Sequence, residues 1–236
     1  STGPLGAHQG NQYMYYETSG SNPTSGSVVT GAVDLSTAND SAEMSFWLHA
    51  FGAQIGTLTV GVSTSASGPF TPVFTSSGAV QSAQGDPWQN VGVRLDAYVG
   101  QTIFIEFAYT SGTSFTGDIA IDQLEIRSCV LCPFPSSPAI TALTDTNATV
   151  QFSDPSGSTW DLEWGPIGFQ QGTGSVTSVT SDSVSFGPLS PNTCYDLYIR
   201  SNCTAANNGT SGWIGPLQFC TQCAAFTAPY SQNFDG

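Results

Sequence analysis

The residues of this 236-residue chain that most clearly could form bonds or bind a metal are its six cysteines. Cys129 and Cys132, and again Cys220 and Cys223, form C-x-x-C pairs, a spacing that also occurs in zinc sites. The spacers Val-Leu and Thr-Gln lack the glycine usual in zinc knuckles, and the two pairs are too far apart for a zinc ribbon. The pattern favours disulfides over zinc and therefore predicts a location outside the cytoplasm.

The two histidines and 17 acidic residues give little sign of catalysis. His8 and His49 are far apart, and neither belongs to an H-E-x-x-H motif or accompanies a nucleophile motif. His49 lies in FWLHAF, a strand-like run, and we interpret it as structural. No phosphate-binding loop or G-x-S-x-G motif is present, and scattered carboxylates are weak support for glycoside hydrolysis. The sequence predicts a protein that is not an enzyme.

Charge restricts the partners. The formal net charge is -14, and the only basic residues are three arginines, so phosphate backbones and anionic lipid surfaces are repelled. No apolar run approaches the roughly 18 to 20 residues of a membrane helix, and no basic region of the signal-peptide type opens the chain. A content of 39% hydrophobic residues still supports a folded core. We expect neither nucleic acid binding nor membrane insertion.

The elements that must position these residues are strands, because no segment keeps a 3.6-residue periodicity. Short β-branched or aromatic runs are separated by turn residues, which is typical of antiparallel sandwiches. A Pro-rich segment, CPFPSSP, divides the runs into two sets. The first set is 12–17, 43–51, 55–64, 89–95, 101–109 and 117–126; the second is 140–145, 148–153, 159–165, 182–187, 193–202 and 211–220.

The second set resembles a fibronectin type III domain over about residues 133–221. In FGPLSPNTCYDLYIRSNC a Leu-x-Pro turn precedes a strand that alternates Tyr195, Leu197 and Ile199 with polar residues. The resemblance places Tyr195 at the corner before strand F, and Trp160 and Trp164 on central strands. It implies an immunoglobulin-like β-sandwich.

The first set resembles a MAM domain, an adhesive jelly-roll module of extracellular receptors and bacterial surface proteins. GNQYMYYETS, MSFWLHAFGAQIGTLTV, WQNVGVRLDAYVGQTIFIEFAY and GDIAIDQLEI occur in the order and spacing of that family. The implied fold class is all-β, a jelly roll followed by an immunoglobulin-like sandwich. The implied domains are the MAM-like unit at 1–128, a linker at 129–135, the type III domain at 136–221 and the start of a further MAM-like repeat at 222–236.

The expectation of a further repeat rests on the segment 222–236. A MAM domain opens with a strand reading Phe-Asp/Glu-Gly or similar, which the start of this chain lacks, whereas QNFDG stands at 232–236. We expect a tandem array cut out of register, in which neighbouring repeats or copies of the same chain are partners. An unrelated linker is an alternative, and so is a tail folded back onto its own first domain, which the length of the type III domain disfavours.

The MAM resemblance also implies a cation where the first and last strands meet. The candidate ligands are Glu17, Asp118 and Asp122, with an equivalent of Asp235 from the preceding unit. Because no His or Cys accompanies these acids, Ca²⁺ is the expected ion. Alternatively, Asp118 caps a turn and backbone N–H groups hold Asp122.

The type III resemblance implies which cysteines meet. Strand F would start beside the end of strand G and finish near the domain entrance, which pairs Cys194 with Cys220 and Cys132 with Cys203. Cys129 would then bond to the Cys223 equivalent of the preceding unit.

Three functions follow as hypotheses. The first is a structural repeat of a long secreted fibre or adhesin, since the lysine-free, Ser/Thr/Gly-rich texture resembles surface proteins of Bacteroidota-type bacteria; there, Asp-Ser-X triplets such as those at Ser41 and Ser183 take O-glycans. The second is a module that binds a surface glycan or a protein, through aromatic residues such as Tyr13, Tyr15, Trp88 and Trp213; alternatively, at alternate strand positions these residues belong to the cores of their domains. The third is an accessory region of a secreted hydrolase.

Overall fold

The computed structural model describes residues 2–20, 23–38, 41–128, 130–154, 159–206 and 208–224. The strands of the first half are β1 (Met14–Tyr16), β2 (Ser25–Val29), β3 (Val33–Asp34), β4 (Ala42–Ala50), β5 (Thr57–Ser63), β6 (Thr71–Ser77), β7 (Gln89–Arg94), β8 (Thr102–Thr110) and β9 (Ile119–Ser128). Those of the second half are β10 (Ser136–Leu143), β11 (Ala148–Ser153), β12 (Thr159–Pro166), β13 (Ser175–Val179), β14 (Ser183–Phe186), β15 (Cys194–Asn202) and β16 (Ile214–Cys220).

Helix within these described ranges is limited to single 3-10 turns at Asp96–Tyr98 and Thr204–Ala206. The prediction of an all-β chain is confirmed.

The first sandwich packs the strands β1-β9-β4-β7 against the strands β2-β8-β5-β6, with β3 also paired to β8, and every pairing is antiparallel. Alternation decides which side chains face inward. In β4, Met44, Phe46 and Leu48 are completely buried in the first core, where Phe46 meets Phe107 of β8 edge to face. The opposite face of β4 is covered as well, since Glu43, Ser45 and His49 are buried and Trp47 is half-buried.

The second sandwich packs β10-β11-β14 against β13-β12-β15-β16. Leu162 of β12 and Leu197 and Ile199 of β15 lie at the centre of its core. The hydroxyl of Tyr195 accepts a hydrogen bond from the backbone N–H of Ser190 at 2.8 Å. This bond back to the preceding turn is a tyrosine corner, a feature of immunoglobulin-like sandwiches.

The two sandwiches share one continuous sheet. Strand β16 pairs with β7 at Gly215 and Asn90, which gives the strand order β1-β9-β4-β7-β16-β15-β12-β13. The Asn90 side chain donates to the Trp213 carbonyl at 2.8 Å, and the Gln89 side chain donates to the Pro216 carbonyl at 3.2 Å.

The segment between the sandwiches is buried at this junction. Phe134 is 1% exposed, and its backbone N–H donates to the Glu43 carboxylate at 3.0 Å. A Cβ added to Gly92 of β7 would lie 2.9 Å from the Phe134 ring, so only glycine permits this approach. The predicted linker is thus part of the interface rather than a free tether.

Candidate functional site

The last strand of the first sandwich has an open edge. Strand β9 pairs with β4 along most of its ten residues, whereas β1 covers only Ile119–Ile121. From Asp122 to Ser128, the other edge of β9 has no strand partner in the described part of the chain. Unpaired N–H and C=O groups on such an edge are a template for a further strand.

An apolar groove runs beside this edge, between β1 and β9 of one sheet and β2 and β8 of the other. It comprises two adjoining cavities of about 300 and 290 Å³, which share Met14, Val28, Phe107 and Ile121. Three residues of the groove stay notably exposed for their type: Met14 at 42%, Val28 at 43% and Leu124 at 39%. We call this feature the β9 groove.

The acidic residues predicted to bind a cation lie close to the β9 strand. Burial acts to raise the pKa of Asp118, but hydrogen bonds from Thr2 and Thr18 outweigh it and the pKa is lowered. One Asp118 oxygen accepts from the Thr18 N–H at 2.9 Å and from the Thr18 hydroxyl at 3.0 Å; the other accepts from the Thr2 hydroxyl. Glu17 interacts with Asp118 and also accepts from the Ser19 N–H at 2.9 Å.

Asp122 is held separately, by the backbone N–H groups of Gln9 at 3.0 Å and Gln123 at 2.7 Å. Among the residues that the structure describes, no three acidic, His or Cys residues are grouped as metal ligands. Asp235 lies outside the described residues. A Ca²⁺ site here would therefore need further oxygen ligands, such as backbone carbonyls, water or groups of another unit, in addition to Glu17 and Asp118.

Two disulfides lie at opposite ends of β15. Cys194, at its start, bonds to Cys220, and Cys203, just after its end, bonds to Cys132. These are the two pairs implied by the type III resemblance. Cys223 is free and exposed, and Cys129 lies outside the described residues.

The two candidate glycosylation sites differ in access. Ser41 is buried, and its hydroxyl both donates to the Val130 carbonyl at 2.8 Å and accepts from the Val130 N–H at 2.7 Å. A glycan on Ser41 would replace the hydrogen that this hydroxyl donates to Val130, at a buried position. Ser183, at the start of β14, is exposed.

The aromatic residues form a second surface, on the outer face of the first sheet. His8 stacks on Trp47 with ring centroids 3.6 Å apart and planes 14° apart, and it also lies 6.5 Å from Trp88. Tyr13 lies between Trp88, at 5.7 Å, and Tyr15, at 6.0 Å. Trp213 does not join this row; it packs under the guanidinium of Arg200 in the second sandwich, at 4.4 Å.

His49 lies below this row and is completely buried. Its Nε2 pairs with the Gln84 carbonyl at 3.2 Å, and its ring centroid is 5.4 Å from that of Trp88. Burial lowers the pKa of His49, so the neutral ring is favoured. This environment agrees with the structural interpretation of His49.

The outer face of the second sandwich contains buried carboxylates that the sequence analysis did not single out. Glu163 accepts from the backbone N–H groups of Gly172 and Gly174 at 2.7 and 2.9 Å, and Asp196 accepts from the Gly168 N–H at 2.7 Å. Burial raises the pKa of Asp196. These bonds fix the loop after β12 against the sheet. In the sequence, the glycines of that loop, GFQQGTG, could have indicated that its backbone N–H groups approach these carboxylates.

Comparison with known families assigns the first sandwich. The model of the MAM domain (meprin/A5/mu) matches residues 1–131, more than half of the 236 residues. The chain belongs to the MAM domain family. The antiparallel sheets of the first sandwich agree with this match.

Solved structures similar to the chain are fibronectin type III domains. The fibronectin type III domain of human fibronectin type III domain containing protein 3 is 18% identical and covers 42% of this chain and 94% of its own, with a TM-score of 0.34. The fn3 domain of human contactin 1 is 14% identical, and the match covers 42% of this chain and 83% of the contactin domain, with a TM-score of 0.33. The FN1-FN3 domains of chicken CNTN1 are 11% identical, and the match covers 70% of this chain and 56% of the chicken chain, with a TM-score of 0.34.

MAM and fibronectin type III domains are non-catalytic, extracellular modules of the adhesion type, and the two disulfides agree with such a location. Within the described ranges, no helix has the length and apolar character needed to span a membrane.

Proposed function

We propose that this MAM-family chain is a non-catalytic repeat unit of a long secreted adhesion fibre, in which tandem β-sandwiches transmit force and neighbouring units join by strand addition. The observation that carries the proposal is the continuous sheet between the sandwiches, together with the open edge of β9. A passive linker would leave the two domains free to rotate.

The junction supports a stiff unit. Arg94 of β7 lies 3.6 Å from Asp154 of the second sandwich, and both side chains are largely buried. Asp154 also accepts from the Trp160 indole at 3.0 Å. Backbone pairing, side-chain hydrogen bonds and the buried Phe134 ring all cross the same interface. Bending the unit would break several of these contacts at once.

The β9 groove supports strand addition by a neighbour, and the sequence of residues 226–235 has the matching pattern. Phe226, Ala228, Tyr230 and Phe234 occupy even positions together with one polar residue, Gln232, whereas Thr227, Pro229, Ser231, Asn233 and Asp235 occupy odd ones. A strand with this alternation has one mainly apolar face and one polar face. Its apolar face suits the groove, while its backbone would pair with the free edge of β9.

A neighbouring unit is a better donor than the chain's own tail. Cys220 lies beside Cys194 at one end of β15, whereas Cys203 and Cys132 lie at the other end, next to the first sandwich. Nine residues of strand separate the two ends, about 30 Å. The described chain thus finishes far from the junction, on the side where a following unit would begin.

A tandem fusion of two copies tests the proposal by non-reducing peptide mapping. We expect Cys223 of the first copy to bond to Cys129 of the second, and residues 226–235 of the first copy to protect β9 of the second from hydrogen exchange. Leu124→Asp in the second copy should abolish this protection, because it puts a charge on the groove. Leu131→Asp is the matched control, since Leu131 is 73% exposed.

Two results would contradict strand addition: the tail exchanging freely in the oxidised fusion, or Leu131→Asp acting as strongly as Leu124→Asp. Stiffness is tested apart from it, by small-angle scattering of the single chain. A broad range of angles between the sandwiches would contradict the fibre proposal even if the strand adds as expected.

A further inference from the structure

The aromatic row on the outer face of the first sandwich is not accounted for by its core. Trp47, Trp88, Tyr13 and Tyr15 are absent from the set of residues that fills the space between the sheets. Trp47 follows Phe46 in β4 and so points to the opposite face of the strand. Tyr15 is 60% exposed. Trp88 is 8% exposed and Trp47 is covered by the stacked His8 ring, so these two rings support the row from beneath, and Tyr15 and His8 are its exposed members.

Polar groups line the row. His8 Nδ1 lies 3.1 Å from the Gln123 side-chain oxygen, which fixes the imidazole over Trp47. Asp122 anchors the neighbouring Gln9 through its backbone N–H. Gln9 and Gln123 are exposed, so their amide groups are accessible to a ligand on the rings. Aromatic faces bordered by a few placed polar groups are typical of ligand sites.

We propose that this aromatic row binds a neutral hexopyranose glycan. The C–H groups on one face of a pyranose carry partial positive charge and fit the negative face of an aromatic ring, while its hydroxyls suit amide and carboxylate partners such as Gln123 and Asp122. Successive rings from Tyr15 through Tyr13 and Trp88 to His8 are 57 to 73° apart in plane, so a sugar would stack on the exposed Tyr15 face and meet the other rings at their edges.

Charge selects the class of glycan. The chain carries a net charge of -14, and its arginines are engaged elsewhere: Arg94 with Asp96, Arg127 with Glu125 and Arg200 with Asp161. An anionic sugar would meet no cation at the row and would be repelled by the protein as a whole. A sulfated or uronic acid glycan is therefore excluded in favour of a neutral one.

The glycan surface borders the β9 groove, since Tyr15 also lines one of its two cavities, and Asp122 and Gln123 line the other. Tyr15 and Met14 are consecutive residues of β1, so their side chains point to opposite faces of the sheet. Met14 lines the groove. The inference goes beyond the proposed function, and titration of the single chain tests it apart from strand addition.

The test is titration of the full chain with neutral β-1,4- and β-1,3-linked glucose and galactose tetrasaccharides, with polygalacturonate as the anionic probe. We expect at least one neutral tetrasaccharide to bind and to perturb tryptophan fluorescence, and polygalacturonate not to bind. Tyr15→Ala should weaken binding about tenfold, and Tyr15→Phe much less, because stacking survives without the hydroxyl. Phe115→Ala, at a 65% exposed aromatic residue, should leave the affinity unchanged.

Folding of each variant is checked by its thermal midpoint, which should stay at the wild-type value. The proposal is overturned if no neutral tetrasaccharide binds, if polygalacturonate binds more tightly, or if Tyr15→Ala and Phe115→Ala have equal effects.

Discussion

Replacing Phe134 by alanine tests whether the two sandwiches behave as one mechanical unit. Phe134 is 1% exposed and belongs to the core of the second sandwich, yet its ring lies against Gly92 of the first. Truncation of a fully buried Phe costs about 3 to 5 kcal/mol. The guanidinium of Arg127, 5.4 Å from the ring, adds little more because that side chain is 44% exposed.

A loss of this size is a large part of the 5 to 15 kcal/mol by which domains are usually stable. We expect wild-type protein to unfold in one calorimetric transition, because the sandwiches share a sheet. Phe134→Ala should give two transitions, the lower belonging to the second sandwich. Hydrogen exchange should show the first loss of protection at Gln89–Arg94 and at Ile214–Cys220, the two strands that meet at the junction.

Phe115→Ala is the control, since a largely exposed ring should change the stability by no more than about 0.5 kcal/mol. The Cys132–Cys203 bond lies close to Phe134 in sequence and stays intact in both variants. A single transition in Phe134→Ala, with the midpoint of the wild type, would refute the argument that this ring couples the sandwiches.

Two further predictions concern stability. His49→Gln should flatten the acid side of the pH–stability curve: burial lowers the folded-state pKa of His49, so its contribution is complete above about pH 6.5 and is lost as pH falls, by up to about 1.4 kcal/mol per pH unit. Burial raises the pKa of Glu43, so at lower pH its protonation changes the stability in the opposite direction. The measurement is therefore the difference in unfolding free energy between wild type and His49→Gln, from urea titrations at several pH values. Equal dependence of that free energy on pH in the two proteins between pH 5 and 6.5 would contradict the role given to His49. Replacing Cys194 and Cys220 by serine should cost about 3 to 4 kcal/mol, since their bond closes a loop with a sequence separation of 26, and a midpoint in guanidinium unchanged from wild type would contradict this.

Most strands could be predicted from alternation. The run EMSFWLHAF became β4 (Ala42–Ala50), and QTIFIEFAY became β8 (Thr102–Thr110), with shifts of about one residue at their ends. Alternation also fixes which residues face inward, so the core residues of β4 follow from the sequence. The corner at Tyr195 was predictable for a similar reason, because a Leu-x-Pro turn before an alternating strand is a local signal.

The junction could not be predicted, because its contacts join residues that are distant in sequence and carry no periodic signal. Glu43 meets Phe134, and Arg94 meets Asp154, and nothing in the local sequence of either partner indicates the other. Two hints were present. Gly92 stands between Val91 and Val93 inside a strand, which often marks a close backbone approach, and Phe134 is an aromatic residue within a segment interpreted as a linker.

The hydrogen-bond partners of the acidic residues could not be predicted from the sequence either. The family resemblance implies Glu17, Asp118 and Asp122 as ligands, but the structure links only Glu17 with Asp118 and holds Asp122 separately, and whether their oxygens are free depends on the residues that bond to them. Thr2 and Gln9 belong to a segment without strand structure, and their bonds to Asp118 and Asp122 follow from the path of that segment. Since the same segment also brings His8 onto Trp47, one irregular stretch both engages the carboxylates and builds the aromatic row. Asp122→Asn weakens the bond to the Gln9 N–H and should displace this segment. The variant should therefore lose more affinity for the glycan than for a cation. Titration of the variant with the tetrasaccharides and with Ca²⁺ would measure the two affinities separately.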